Sequence, residues 1–229
     1  EFLKIKYTHS GVTASSKAID KVISKKIFNK NNILTPKGFA YTIGEEKNKL
    51  IKKINKNLKF PVVIKPINEG SSVGVYICNK KNIWSNIKKL KDYKEILIEA
   101  YIPGKEIQSA IMGNKKLGSI ELVPKRKFYD YKAKYEKKAK TKHIMPANIS
   151  KKNYNIANKI ALKAHKILNC RGISRSDFRF YKNKFYLLEL NTQPGMTSLS
   201  LVPEIARYNN INFEKLLDFL VKDASINKI

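Results

Sequence analysis

The sequence predicts an α+β fold of two lobes, and three observations carry that prediction. Apolar residues recur at helical spacing over about 15–30 and 151–168, marking two long amphipathic helices. Short β-rich runs come in neighbouring pairs separated by turn residues, as at 60–66 with 75–78, 106–112 with 117–123, and 173–181 with 184–190. Pro103-Gly104 interrupts the order at a point where two such groups of elements meet, so the lobes divide as 15–103 and 104–229.

In chain order, Ala18, Ile19, Val22, Ile23 and Ile27 set the first helix, and Thr35-Pro36 ends it. Gly38–Tyr41 reads as a short strand, followed by a polar helix to about Lys56. Phe60–Pro66 is a buried strand bracketed by prolines, and Val75–Cys78 leaves the glycine–serine turn Glu69–Gly74 as its hairpin partner. A helix near 80–91 leads to the strand Ile96–Tyr101. After the paired strands 106–112 and 117–123, a polar, tyrosine-rich loop is expected from Pro124 to Ser150. A loop of that length inside a compact domain is usually functional or disordered. The helix 151–168 uses Ile156, Ile160, Ala164 and Ile167, and Lys182-Asn183 turns between the two strands after it. Helices near 203–208 and 212–222 close the chain.

Composition excludes more than it assigns. A chain of 229 residues with 42% hydrophobic residues buries a real core. No apolar run approaches the roughly eighteen residues that cross a bilayer, and no secretory signal is read. Cys78 and Cys170 match no metal spacing and read as reduced core thiols of a cytoplasmic protein. The 47 Lys+Arg against 18 Asp+Glu give a net charge of +29, which by itself points to a polyanion. The lysines are scattered, however, with no arginine-rich arm, zinc-finger spacing or aromatic RNA-binding pattern. A lysine-, asparagine- and isoleucine-rich composition that covers solvated faces with lysine accounts for them, and no specific nucleic-acid partner is expected.

Three segments carry chemistry. Glu189 and Asn191 stand two apart on a strand and share a face, as do Arg175 and Asp177 on the strand before. Three oxygen donors from adjacent strands suit magnesium, and an arginine beside them suits charge on a transferring phosphoryl group. A lone Glu-x-Asn is usually a solvated strand end; the neighbouring Arg-x-Asp favours the metal reading. Lys65 ends a buried strand before Glu69–Gly74, whose backbone N–H groups suit an anion, although an ordinary hairpin uses the same residues. The segment is no Walker A loop. Phe128–Tyr135 alternates tyrosines with lysines and fits either a nucleic-acid surface or a lid over a charged ligand.

Together these segments resemble D-alanine–D-alanine ligases from about Tyr7 to Asp223. The matching stretches are Tyr7–Val12, Ile19–Lys21, Val63–Pro66, Glu69–Gly74, Phe128–Tyr135, Arg175–Asp177 and Leu188–Pro203, in the family's order and spacing. The resemblance implies an ATP-grasp fold, with ATP enclosed between the two α+β lobes. It implies phosphate-binding roles for Lys21 and Lys65, and adenine and ribose contacts for Glu99 and Glu106. Asp177, Glu189 and Asn191 would hold two magnesium ions, with manganese as a substitute. Arg175 and the Gly195 backbone would face the tetrahedral intermediate, and Ser200 and Leu201 would position the second D-alanine. Lys134 and Tyr135 would close an omega-loop lid, with Tyr135 reaching towards Ser71. Tyrosine at that position goes with dipeptide rather than depsipeptide formation in the family.

The implied product is D-alanyl-D-alanine for peptidoglycan precursors, made in the cytoplasm by an enzyme that is a homodimer at full length. The family also has an amino-terminal domain, and residues 1–14 are expected to be its end. Ala100 departs from the lysine that many relatives carry. Two rival readings are another ATP-grasp carboxylate–amine ligase and an inactive polyanion-binding remnant. The Gly195–Leu201 run and the Lys134-Tyr135 lid oppose the first, and the aligned Asp177, Glu189 and Asn191 oppose the second.

Overall fold

The computed structural model describes residues 1–124, 141–197 and 200–226. Near the start, the expected single helix over 15–30 forms as two, α1 (Val12–Ile19) and α2 (Lys21–Lys30). Asp20 separates them. Its backbone is extended at φ −76°, ψ 103°, and its carboxylate accepts from the N–H groups of Val22 and Ile23. A side-chain acceptor on two orphan amides caps a new helix more favourably than the old one continues. The break makes Lys21 the first residue of α2 and puts Lys25 one turn later on the same face.

The first sheet has the order β1-β4-β2-β3, from β1 (Gly38–Thr42), β2 (Val62–Pro66), β3 (Tyr76–Cys78) and β4 (Glu95–Ala100). Every pairing in it is antiparallel. Helices α3 (Lys47–Asn57) and α4 (Ile83–Lys89) bury Leu50, Ile54, Ile83 and Ile87 against Val62, Ile64, Ile96 and Ile98. Because strand side chains alternate, Val63 and Lys65 on β2 and Leu97 and Glu99 on β4 face the other way.

The second sheet has the order β7-β6-β5-β8-β9. Its strands are β5 (Lys105–Met112), β6 (Lys115–Val123), β7 (Lys142–Ile144), β8 (Ile173–Tyr181) and β9 (Lys184–Asn191). Strand β7 falls inside the stretch expected as loop, where it pairs antiparallel with the end of β6. On one face α5 (Lys151–Ile167) packs Ala157, Ala161 and Ala164 against Ile107, Ile111, Phe178 and Leu187. On the other, α6 (Leu201–Tyr208) and α7 (Phe213–Asp223) pack Val202, Ile205, Leu216 and Leu220 against Ala110, Leu117, Ile120 and Ile173. Ala18 of α1, Phe28 of α2 and Ile33 belong to the α5 cluster, so the first helices pack on the second sheet's core although they precede the first sheet in sequence.

The chain passes from β4 to β5 through 101–104, where only glycine fits at the last position. Gly104 has φ +97°, and a Cβ there would lie 2.2 Å from the carbonyl oxygen of Phe180. Lys182 and Asn183 both take left-handed φ (48° and 57°), the geometry of a tight hairpin between β8 and β9. A register shift after Asp177 pairs Asp177 with Glu189 and Phe178 with Leu187, leaving Leu188 as the extra residue. No helix among the described residues is long and apolar enough to cross a membrane.

Candidate active site

A cleft of roughly 780 Å³, its open mouth included, is lined from the first sheet by Lys65 and Glu99 and from the second by Glu106, Asp177, Arg179 and Glu189, with Lys21 of α2 at its edge.

The second sheet contributes a square of polar side chains. In the β8–β9 register Arg175 stands opposite Asn191 and Asp177 opposite Glu189. The Arg175 guanidinium holds Asp177 through Nε–Oδ1 at 2.8 Å and a second nitrogen to Oδ2 at 3.0 Å. Lys21 Nζ lies 3.6 Å from the Glu189 carboxylate. The Asn191 amide oxygen accepts from the N–H of Gln193 at 2.9 Å. Like charges directly across a strand pair are destabilising, and two carboxylates so placed with an amide oxygen beside them make a donor set for a cation. Among the described residues no third carboxylate, histidine or cysteine joins a metal-binding group. Carboxylate and amide oxygens are the donors a hard divalent ion takes alongside water and phosphate.

The first sheet contributes a buried cluster of charges. Glu99, pointing off β4 beside Val63, takes Lys65 Nζ on Oε1 at 2.6 Å and Lys25 Nζ on Oε2. Burial by itself pushes the Glu99 carboxyl up, but the adjacent Lys25 and Lys65 charges and their hydrogen bonds outweigh it and hold the carboxyl below its ordinary range. Burial draws both Lys21 and Lys25 below the usual lysine range, against the pull of Glu189 and Glu99 respectively. Lys21 Nζ also donates to the carbonyls of Ile67 and Glu69, which ties α2 to the start of the glycine–serine turn.

In that turn Ser71, Ser72 and Gly74 all have left-handed φ (52°, 60° and 67°), closed by Val73 N–H to the Gly70 carbonyl at 3.0 Å. Ser71 is exposed on it. Glu106, at the start of β5, meets Arg179 at 3.5 Å, and the same guanidinium donates to the carbonyls of Ile102 (3.1 Å) and Gly104 (2.7 Å). Beyond β9, Ser200 precedes α6 without a side-chain capping bond to it, and Leu201 begins the helix. Ser200 Oγ accepts from the Thr197 N–H at 3.1 Å, and a Cβ on Gly195 would lie 3.0 Å from that oxygen.

Lys21, Lys65, Glu99, Glu106, Asp177 and Glu189 thus share one cleft, with Arg175 and Asn191 on its acidic face. Ser71 sits on the adjacent turn, and Gly195, Ser200 and Leu201 gather at the start of α6. Lys134 and Tyr135 lie outside the described residues. Two residues of the site escaped the sequence reading. Lys25 follows Lys21 by four and Arg179 follows Asp177 by two, so the spacing that puts each on its neighbour's face was available.

A family model described as the carboxy-terminal part of D-Ala–D-Ala ligase matches residues 38–222. A D-alanine–D-alanine ligase of Pelagibacter ubique (strain HTCC1062) is 64% identical over 228 residues, covering 100% of this chain and 75% of the relative. A crystal structure of a D-alanine–D-alanine ligase from Bacillus anthracis superposes with a TM-score of 0.85 at 35% identity, covering 97% of this chain and 72% of that one. A second structure of the Bacillus anthracis enzyme, complexed with ATP, gives a TM-score of 0.81 at 30% identity, covering 97% and 71%. This chain belongs to the D-alanine–D-alanine ligase family.

Proposed function

We propose that the chain binds ATP and two D-alanine molecules and joins them into D-alanyl-D-alanine with release of ADP and phosphate, a step of peptidoglycan precursor synthesis. The observation that carries this reading is the meeting of two opposite surfaces across one cleft. Lys65 lines it from the first sheet and Asp177 and Glu189 from the second, with Lys21 reaching Glu189 from α2.

The chemistry follows from what a carboxylate lacks. Its oxide is too poor a leaving group for an amine to displace. Transfer of the ATP γ-phosphoryl group to one carboxylate oxygen of the first D-alanine forms an acyl phosphate and ADP. The uncharged amine of the second D-alanine attacks the acyl carbon, the C–O bond to phosphate breaks, and the amine loses its proton as the peptide forms. Lys65 and Lys21 neutralise phosphate charge, and Glu99 and Glu106 line the path of adenine and ribose. The turn Glu69–Gly74, which carries Ser71, closes over the phosphates.

Arg175 and the Gly195 backbone face the oxygen that gains charge at the acyl carbon. The start of α6 at Ser200 and Leu201 offers its first-turn backbone N–H groups to the second substrate's carboxylate. Magnesium or manganese held by Asp177, Glu189 and Asn191 would supply charge neutralisation to the polyphosphate when bound.

The setting proposed for this activity is the cytoplasm, with a homodimer as the assembly. The test is D-alanine-dependent phosphate release from ATP, preceded by calorimetry of ATP with and without magnesium at raised salt. Magnesium-dependent ATP binding followed by release that needs D-alanine supports the reading. Absence of ATP binding sinks it for this chain.

A further inference from the structure

The nucleotide reading leaves one buried charge unexplained. Glu99 is 2% exposed, and Lys25 and Lys65 are each 6% exposed. One carboxylate thus faces two ammonium groups, with Lys65 on Oε1 and Lys25 on Oε2. A Lys65–Glu99 pair alone would be neutral, and adding a second buried cation costs desolvation that the shared carboxylate only partly offsets. Lys25 does not line the cleft, whereas Lys65 and Glu99 do. It therefore touches the site through Glu99.

We propose that Lys25 is a positioning residue for nucleotide binding: by occupying Glu99 Oε2 it fixes the carboxylate and leaves Lys65 with positive charge to present to the polyphosphate. The inference rests on the nucleotide reading above. Without Lys25, both carboxylate oxygens are available to Lys65, and the pair becomes a closed, neutral unit that an anion must break open. With Lys25 present the cluster carries one surplus positive charge, which an incoming polyphosphate satisfies. Burial draws Lys25 below the ordinary lysine range, and the Glu99 charge and hydrogen bond oppose that fall.

Calorimetry on the 229-residue chain with magnesium-ATP and, separately, with adenosine tests this. Lys25→Met is expected to weaken ATP binding about tenfold or more and adenosine binding by much less, because the lost charge acts on the phosphates while adenosine meets only the loosened Glu99 carboxylate. Lys25→Arg is expected to restore most of the ATP affinity. Lys25→Gln keeps a donor for Glu99 and reads the charge alone should the methionine variant fail to fold. Equal losses for ATP and adenosine would reduce Lys25 to a structural role and overturn the proposal. Unchanged ATP affinity in the variants would also overturn it while leaving the nucleotide reading intact. A wild-type chain that binds no ATP would remove both.

Discussion

Asp177 and Glu189 are direct cross-strand partners on β8 and β9, two carboxylates facing each other where the strand register shifts. Each has a cation on its flank, Arg175 for Asp177 and Lys21 for Glu189. The arrangement holds negative charge together at the cleft and offsets it from both sides.

Glu189→Gln removes one of the two opposed charges. Thermal unfolding of the variant without added metal is expected to stay within about 1 kcal/mol of wild type, since lost repulsion and the lost Lys21 pair oppose each other. Magnesium-dependent ATP affinity is expected to fall by about tenfold or more. Calorimetry that shows full magnesium dependence in the variant would remove Glu189 from the cation site.

Gly104→Ala tests the crossing between the sheets. The added Cβ meets the Phe180 carbonyl oxygen at 2.2 Å in a left-handed conformation, so the strand or the crossing must move. Urea unfolding is expected to show a loss of about 2 kcal/mol or more. The displaced Gly104 carbonyl would also leave Arg179, and ATP affinity is expected to weaken as Glu106 loses its anchor. An alanine variant as stable as wild type would mean the crossing relaxes freely.

His165 makes stability depend on pH. It is buried on α5, with Nδ1 2.7 Å from Ser174 Oγ, and burial draws its pKa from 6.5 to about 4. The unfolded chain therefore binds a proton more readily than the folded one between those values, so stability rises with pH there and is lost as pH falls from 6.5 towards 4. The full effect is on the order of 3 kcal/mol. Denaturant unfolding at a series of pH values should show this slope, and His165→Gln should flatten it. A slope unchanged in the variant would assign the acid sensitivity to other groups.

Gln108 stands beside Asp177 in the β5–β8 register with its side-chain oxygen buried and without a hydrogen-bond partner among the described residues. Gln108→Met keeps the volume and removes the unmet acceptor. The variant is expected to be more stable by about 1 kcal/mol in thermal unfolding. A less stable variant would show that the amide is satisfied by solvent in the folded protein.

Much of the fold was readable because its signals are local. Hairpin turns such as Lys182-Asn183 and the period-two alternation of Arg175-x-Asp177 and Glu189-x-Asn191 depend on neighbours in sequence, and the strands form where those patterns lie. The break at Asp20 was obscured because Ile19, Val22 and Ile23 continue a helical period across it. Only the cap geometry ends one helix there and starts another. Strand β7 lacks an apolar pattern of its own and exists through its pairing with β6.

Alternation along each strand was enough to say which side chains share a face, and the order of motifs was enough to identify the family. It took the assembled sheets to set Asp177 against Glu189, because cross-strand register depends on the shift that leaves Leu188 over. The same holds for the charge cluster. Lys25, Lys65 and Glu99 come from α2, β2 and β4, and their meeting in a buried space reflects packing between elements far apart in the chain. Local pattern is set by steric and hydrophobic periodicity within a few residues, whereas partners, burial and shifted ionisation arise only when distant segments exclude water together.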